Sequence, residues 1–354
     1  MNSKQRVKLA VNHQIPDRVP INYLANPGID SRLKKHFGLA EDDNDGLRDA
    51  LNVDFRQVFP AYTGPKLHAD IPDRHICEWG IHRRWIENES GGYWDFCDFP
   101  LKDAAIEEIE KFPLPNPDDF DYQSIANLSE KYKDYCVILG SAGIPDIING
   151  TSMLRSMEQV LIDFMLDEPA CIRLIERRVE ILLEIMRRSL KIAKGKIDML
   201  WMGDDLGTQH RPLISIDLFR KYIRPNHQKF IDLANDFDIP VMVHSCGSSS
   251  WAFDDFIEMG VSVMDTLQPE AENMQPEYLK RTFGDKLAFH GCISTAGPVA
   301  YGTVDEVEKS VKETLEIMMP GGGYMLAPTH QLQDNSPTEN VLRMYEVAVK
   351  YGRY

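Results

Sequence analysis

From about residue 135 onward, short apolar runs alternate with longer amphipathic segments, and this rhythm limits the fold more than any other feature. Six runs have the length and composition of buried strands: 136–140, 198–202, 240–244, 262–266, 287–290 and 324–327. Helical patterns separate them at 158–167, 171–193, 216–235, 249–258 and 304–318. Strands that alternate with helices pair in parallel, because a crossover between parallel neighbours needs a dozen or more residues.

The number of strand–helix units favours a closed barrel. The first third predicts an irregular α+β region with a helix at 3–12, a strand at 19–23 and a hairpin of 81–86 with 93–96 around a turn at 88–92. One or two strands from this region would bring the six strand–helix units close to the eight of a closed barrel. No Gly-rich turn of the kind that binds dinucleotides follows a predicted strand, which argues against an open doubly wound sheet. We therefore predict an α/β fold, a TIM-type (β/α)8 barrel. It would form a single domain over 1–354, with an N-terminal extension and hairpin at 1–130 and the main part of the barrel at 131–354.

Charge and cysteine content exclude several classes of protein. Acidic residues outnumber basic ones 55 to 39, and the net charge of −16 opposes nucleic-acid binding. No apolar run approaches the ~18 residues of a membrane helix, and residues 1–9 lack a following signal-peptide stretch. Six irregularly spaced cysteines do not suggest a disulfide framework. We expect a cytoplasmic protein with free thiols that binds neither nucleic acid nor membrane.

Polar residues follow most of the predicted strands, where barrel enzymes place their active sites. They occur at 203–205, 244–247, 265–268, 290–292 and 328–331, and they include three histidines and two cysteines. Thiolate and imidazole are typical zinc ligands, and catalytic zinc is held by three protein ligands with one open position. The sequence therefore favours a zinc site at this end of the barrel.

His244 and Cys246 are the first candidate ligands. Residues two apart on a strand point to one face, so both side chains can reach one ion. The spacing alone is also compatible with a core thiol beside a hydrogen-bonded histidine. Cys292 and His330, at the ends of later strands, favour the metal interpretation.

Asp204 and Asp205 cannot both face inward, because they are adjacent in sequence. One of them would point into the barrel mouth as an acid or base, or hold a substrate cation. A helix N-cap or a loop hydrogen bond explains an aspartate here equally well. Our candidate catalytic residues are Asp204, Asp205 and His290, and our candidate substrate-binding residues are Trp201, Gln268 and Tyr93.

Five stretches together resemble the uroporphyrinogen decarboxylase superfamily: 203–209, 244–248, 289–292, 302–303 and 321–330. The superfamily has a β/α barrel and two chemistries. True uroporphyrinogen decarboxylases use no cofactor and carry an Arg-rich N-terminal motif for the substrate carboxylates. This chain has residues 22–28 in that neighbourhood, without arginine. The missing arginines and the charge of −16 argue against a highly anionic porphyrinogen.

The other branch comprises corrinoid-dependent methyltransferases, whose zinc is held by His-x-Cys on one strand and a Cys after the last strand. His244 and Cys246 match the first two positions, and the third falls at Thr329 and His330, where a neighbouring His replaces the Cys. The resemblance thus implies zinc on His244, Cys246 and His330, with Cys292 as the alternative third ligand. The zinc would serve as a Lewis acid.

We expect methyl transfer between a small-molecule donor or acceptor and a corrinoid on a separate partner protein. An aromatic methyl ether is favoured over a thiol acceptor, because several aromatic residues could line a pocket, although ordinary core or hairpin packing explains each of them at least as well. They are Tyr62, Trp79, Tyr93, Trp94 and Trp201. Two alternatives stay open: a metal-free decarboxylase or lyase that uses Asp204 or Asp205, and a non-enzymatic binding protein. A homodimer is also left open.

Overall fold

The central sheet is parallel, and its seven strands, which begin at residues 55, 136, 199, 241, 263, 288 and 324, lie side by side in that order. The computed structural model describes residues 1–88 and 91–354. In these residues the strands are β1 (Phe55–Val58), β2 (His75–Ile76), β3 (His82–Asn88), β4 (Gly91–Phe96), β5 (Cys136–Pro145), β6 (Met199–Gly203), β7 (Val241–Ser245), β8 (Val263–Thr266), β9 (Ala288–Ile293) and β10 (Tyr324–Pro328).

Helices precede, connect and follow the parallel strands. They are α1 (Ser3–Val11), α2 (Pro27–Phe37), α3 (Asn44–Ala50), α4 (Ile106–Lys111), α5 (Tyr122–Lys131), α6 (Ile147–Arg155), α7 (Met157–Leu166), α8 (Pro169–Ala193), α9 (Ile216–Leu218), α10 (Arg224–Asn235), α11 (Phe253–Met259), α12 (Pro276–Phe283), α13 (Pro298–Tyr301), α14 (Val304–Met318) and α15 (Thr338–Tyr351). Short 3-10 helices lie at Pro117–Asp119 and Ser250–Ala252. None of these described helices has the length and apolar character needed to cross a bilayer.

Strands β6, β8, β9 and β10 are buried along their whole length, as expected for a parallel sheet covered on both faces. The helices bury one stripe each. In α8, for example, Leu174, Leu182 and Ile185 are buried, while charged residues occupy the opposite face. The α/β class and the six strands predicted after residue 135 are confirmed.

A segment near the N-terminus lies between the two ends of the sheet. Ile21 forms a parallel bridge with Leu326 of β10, and Ala25 forms another with Leu332. On the other side, the Ile21 carbonyl accepts a hydrogen bond of 2.8 Å from the backbone N–H of Asp54, next to β1. The predicted strand at 19–23 is therefore present as an isolated bridge at one edge of the sheet and a backbone hydrogen bond next to the other edge.

Strands β2, β3 and β4 form a separate antiparallel sheet, which includes the predicted hairpin. Part of its predicted turn, residues 89–90, lies outside the described residues. This region shares a small apolar core with the helices, made of Ile81, Leu101, Ile109, Leu154, Ala170 and Leu174. Arg155 also donates to the carbonyls of Leu101 and Ala104, at 2.9 and 3.0 Å. The hairpin region is thus joined to α6 and α8.

The predicted helix at 216–235 is interrupted by a π-helix at Phe219–Ile223, between α9 and α10. Pro225, in the first turn of α10, explains the interruption. Proline has no N–H to donate and its ring clashes with the carbonyl four residues earlier, so the preceding turn widens. The helix then continues and places His227 in the protein interior.

Candidate functional site

Two adjoining cavities open at the carboxyl ends of the parallel strands. The larger has a volume of about 340 Å³, and its walls include Trp201, His244, Asp265 and Pro328. The smaller has a volume of about 180 Å³, and its walls include Cys246, Gln268 and Glu270. Thr266, Thr329 and His330 belong to both walls. The site therefore lies where a parallel α/β sheet usually binds its ligand.

Asp205, His244 and Cys246 form a group whose ligand atoms all lie within 4.8 Å of one another. The Nε2 atom of His244 is 3.4 Å from Sγ of Cys246 and 3.6 Å from Oδ1 of Asp205. One imidazole, one thiol and one carboxylate are a donor set that suits zinc.

Local backbone structure holds these three side chains together. His244 lies on β7, Cys246 directly follows it, and Asp205 follows β6. The backbone N–H of Cys246 donates to Oδ1 of Asp205 at 2.9 Å, and Nδ2 of Asn149 donates to Oδ2 at 2.9 Å. Gly247 has φ +71°, and a Cβ atom there would lie 2.3 Å from the Gly207 carbonyl oxygen. Only glycine allows the two loops to approach this closely.

Asp265 is the buried anion beneath His244. Its Oδ2 atom lies 2.9 Å from Nδ1 of His244 and accepts from Nε1 of Trp201 at 3.0 Å. Its Oδ1 atom lies 2.6 Å from Nδ1 of His290 and accepts from the backbone N–H of Thr266 at 2.7 Å. Burial alone would raise the pKa of this carboxyl, but the two histidines outweigh it and hold the pKa well below its usual range.

His290 is fully buried behind Asp265 and is absent from the walls of both cavities. Its Nε2 atom lies 3.0 Å from Nδ2 of Asn22. The Asn22 amide has a fixed orientation, because its Oδ1 atom accepts the Tyr23 N–H at 2.8 Å. Nε2 of His290 is therefore the acceptor, and Nδ1 carries the proton donated to Asp265. The structure places this predicted catalytic residue where it supports Asp265.

Asp204 is buried and binds the N-terminus of α6. Its two carboxylate oxygens accept from the backbone N–H groups of Ile147 and Ile148, both at 2.8 Å. His227 Nε2 is 2.8 Å from Oδ2. Of the two interpretations of Asp204 from the sequence, these contacts match the helix cap. Asp205, its neighbour, is the carboxylate that faces the thiol and the imidazole.

Asp146 is a second buried acid at the same helix terminus. It is the N-cap of α6, with φ +44°, and its side chain accepts from the Asn149 N–H at 3.2 Å. Burial and the charges of Asp204 and Asp205 raise its pKa well above the usual value, against the opposing effect of Arg178.

The three predicted substrate-binding residues, Trp201, Gln268 and Tyr93, lie in different places in the structure. Trp201 lines the larger cavity, and Gln268 lines the smaller one, where its amide donates to Gln209 at 3.0 Å. Tyr93 lies on β4, half exposed, and belongs to neither wall. The structure thus brings two of the three predicted substrate-binding residues to the site.

The two candidates for the third metal ligand, His330 and Cys292, lie in different surroundings. His330 lies at the rim of both cavities, and partial burial and the charge of His244 lower its pKa. Cys292 is buried outside both walls, and burial raises the pKa of its thiol well above the usual value. Neither belongs to the compact donor group formed by Asp205, His244 and Cys246.

The pKa of His244 reflects several opposing effects. Burial would lower it, but the Cys246 sulfur and the hydrogen bonds to Asp205 and Asp265 raise it well above its usual value. Thr266 Oγ1 also lies 2.5 Å from Nδ1 of His244. These contacts fix the orientation of the imidazole, as outer-shell partners do for metal-binding histidines.

Three important residues of the site were missed by the sequence reasoning. Asp265 ends a predicted strand between two strands that carry histidines, and this position was a usable signal. Asn22 and Asn149 act through contacts with residues far away in the chain, so nothing in their sequence neighbourhood indicates a role.

Comparisons with known proteins identify the family. The uroporphyrinogen decarboxylase (URO-D) family model matches residues 99–351, so the chain belongs to this family and the resemblance found in the sequence is confirmed. Among curated proteins, it is similar to the methylcobamide:CoM methyltransferase MtbA of Methanosarcina acetivorans. The two are 25% identical over 142 residues, which make up 39% of this chain and 38% of MtbA. The matched region is thus well under half of that relative.

A solved structure supports the fold over nearly the whole chain. A methyltransferase from Methanosarcina mazei superimposes with a TM-score of 0.67 at 16% identity, and the match covers 99% of both chains.

Proposed function

We propose that this protein is a methyltransferase that moves a methyl group between a small molecule and a corrinoid carried by a partner protein. The observation that carries the proposal is the group formed by Asp205, His244 and Cys246 beside a cavity at the carboxyl ends of the strands. The partial similarity to MtbA, a methylcobamide:CoM methyltransferase, supports it.

The donor set fits a zinc ion. Asp205, His244 and Cys246 would hold it, and its Lewis acidity would stabilise the negative charge on the oxygen or sulfur that loses or gains the methyl group. Asp265 fixes the imidazole of His244 through Nδ1 and leaves Nε2 directed at Cys246 and Asp205. Trp201 offers its ring to the cavity, which can hold the organic part of the substrate.

The proposal includes two statements about architecture. Residues 19–25 would serve as the eighth strand and close the sheet into a barrel, since they contact both β10 and the residue before β1. The chain would form a single domain. A partner that carries the corrinoid would dock over the cavity opening.

Metal analysis of the purified protein tests the proposal. We expect about one zinc per chain, lost in Cys246→Ser and retained in the control Cys77→Ser, which alters another partly exposed thiol. Zinc-loaded protein should also deplete cob(I)alamin absorbance when a methoxyaromatic donor is supplied.

Two results would replace the proposal with one of the alternatives. A protein that neither contains nor takes up zinc, yet releases carbon dioxide from a small acid, would be a metal-free decarboxylase. A protein that binds a small molecule without any turnover would be a binding protein.

A further inference from the structure

We infer that the cavity selects an uncharged small molecule, whose apolar part lies against Trp201, and rejects anionic and cationic analogues. This inference rests on the proposed function, because it names the substrate class of that site. It depends on three observations: the charges of the walls, the hydrogen bonds of the carboxylates, and the surface of Trp201.

The described residues that line the two cavities include neither lysine nor arginine, and the imidazole of His244 is already engaged by Asp265 at Nδ1 and by Asp205 and Cys246 at Nε2. A carboxylate, sulfonate or phosphate in this space would therefore lose water without gaining a cationic partner, which is strongly unfavourable. A divalent metal ion on Asp205, His244 and Cys246 would be balanced by the carboxylate and the thiolate. The net charge of −16 adds a field that repels anions.

The acids in the walls do not offer a complementary site for a cation either. Both oxygens of Asp265 already have two partners each: His290 and the Thr266 N–H on Oδ1, and His244 and Trp201 on Oδ2. Glu270, in the smaller cavity, accepts a hydrogen bond from Ser294. An ammonium group in the larger cavity would therefore have to displace existing donors from Asp265.

Trp201 determines what the larger cavity can hold instead. Its only polar atom, Nε1, donates to Asp265, so the indole presents carbon to the cavity. Pro328, Leu24 and Ala142 add further apolar surface to the same wall. Gln57 and Ser141 supply neutral polar groups at the other side. This combination suits an uncharged molecule with an apolar body and one or two polar ends.

Three probes of the same shape test the inference: 4-methoxybenzyl alcohol, 4-methoxybenzoate and 4-methoxybenzylammonium. Their affinities for the purified full-length protein are measured by calorimetry at pH 8. We expect the alcohol to bind at least about tenfold more tightly than either charged probe.

A second measurement uses a variant that places a positive charge in the cavity wall. Gln57→Arg should raise the affinity for 4-methoxybenzoate by about tenfold or more, because it supplies the missing cation. Gln123→Arg adds the same charge on the exposed face of α5 and should leave all three affinities unchanged.

The outcomes separate this inference from the proposed function. Tight binding of the benzoate or the ammonium probe, within about threefold of the alcohol, would overturn the inference even if methyl transfer occurs. Failure of all three probes to bind at about 10 mM would overturn it as well. An alcohol that binds selectively but is never demethylated would uphold the inference and contradict methyl transfer from that compound.

Discussion

Asp265 is the residue on which the arrangement of the site depends most. One buried carboxylate holds His244 on one oxygen and His290 on the other, and the second histidine is itself fixed by Asn22. A chain of hydrogen bonds therefore runs from the interior to the imidazole that faces the thiol of Cys246. The orientation of the His244 imidazole at the cavity surface is therefore set by the buried residues Asp265, His290 and Asn22.

Asp265→Asn tests this support. Asparagine keeps the shape of the side chain but replaces an acceptor with an NH₂ group, which would oppose the N–H donors of Trp201 or His290. We expect zinc affinity to fall about 10- to 100-fold, the usual effect of losing an outer-shell partner. A competition titration with a chelator measures it, and exposed Asp254→Asn is the control. Unchanged zinc affinity in a folded variant would show that Asp265 has no orienting role.

The third metal ligand can be identified by comparing three variants. Strand order in the sequence favours His330, whereas the geometry favours Asp205. We expect Asp205→Asn to lose most of the zinc, while His330→Ala and Cys292→Ala retain most of it. The measurement is metal content by elemental analysis after dialysis. If His330→Ala is the variant that loses zinc, the ligand inferred from the family pattern is the correct one.

The alternation of side chains along a strand predicted the pairing of His244 with Cys246, but the same rule does not apply to Cys292. Gly291 has φ +125° and Cys292 has φ +68°, so the strand bends near its end and the thiol is buried outside both cavity walls. Backbone angles of this kind cannot be read from residue types alone. Spacing therefore predicts a shared face only where the strand stays regular.

At the scale of elements, the N-terminus of α6 is the part of the fold that holds the acidic residues of the site in place. Asp204 binds its first N–H groups, Asp146 caps it, and Asn149 on its first turn holds Asp205. A shift of this helix would therefore move one of the three proposed metal ligands. The contacts of Asp204 and Asp205 explain why two adjacent acids have different surroundings.

Asp204→Asn should lower stability and activity together. Its amide NH₂ would face an N–H of α6 or His227 Nε2, leaving a buried donor without an acceptor. We expect a loss of about 1–3 kcal/mol in the free energy of unfolding, measured in urea. Exposed Asp236→Asn is the control. Full stability with turnover reduced about 100-fold would instead indicate an acid–base role for Asp204.

Asp146→Asn should have the opposite effect on stability at pH 8. Asparagine can also cap a helix and adopt a positive φ, and it removes a buried charge beside Asp204 and Asp205. A raised pKa means that ionisation of Asp146 destabilises the folded state as pH rises. We expect the variant to gain about 1 kcal/mol at pH 8, and the gain to shrink near pH 4 as the carboxyl takes up its proton. A gain independent of pH would rule out this cause.

The strands that were predicted correctly from the sequence are those made of buried apolar residues. Strands β6 to β10 are apolar and fully or mostly buried, so each is recognisable in the sequence as a short run of apolar residues. Strand β1 was not predicted because it includes Arg56, which is buried through contacts with Asp49 and the ring of Tyr135. The last residues of β5 were missed because Ser141 and Gly143 line the cavity and look like a loop.

At the scale of the whole molecule, the first 130 residues are joined to the rest by many polar contacts. Arg173 pairs with Glu110 at 2.6 Å, and Arg177 donates to the Phe112 carbonyl at 3.0 Å. Together with Arg155, these side chains attach the region after the hairpin to α6 and α8. The shared apolar core adds to this attachment.

We therefore expect the chain to unfold as one cooperative unit. Urea unfolding followed by tryptophan fluorescence and by circular dichroism should give coincident transitions. Limited proteolysis followed by mass spectrometry should yield no folded fragment that ends near residue 130. A stable fragment of that size, with a transition of its own, would indicate a separate N-terminal domain.

The contact of Asn22 with His290 has a consequence for how the protein is made. These residues are 268 positions apart, and Ile21 pairs with Leu326 of the last strand. On the ribosome, the segment that contains Asn22 must wait for strands that are synthesised much later. Such distant pairings slow folding because the intervening chain has to be ordered first. The hydrogen-bond chain beneath His244 is therefore completed only after translation has passed β10. Until then, a nascent chain already contains His244 and Cys246 but lacks the contact between Asn22 and His290 that supports them.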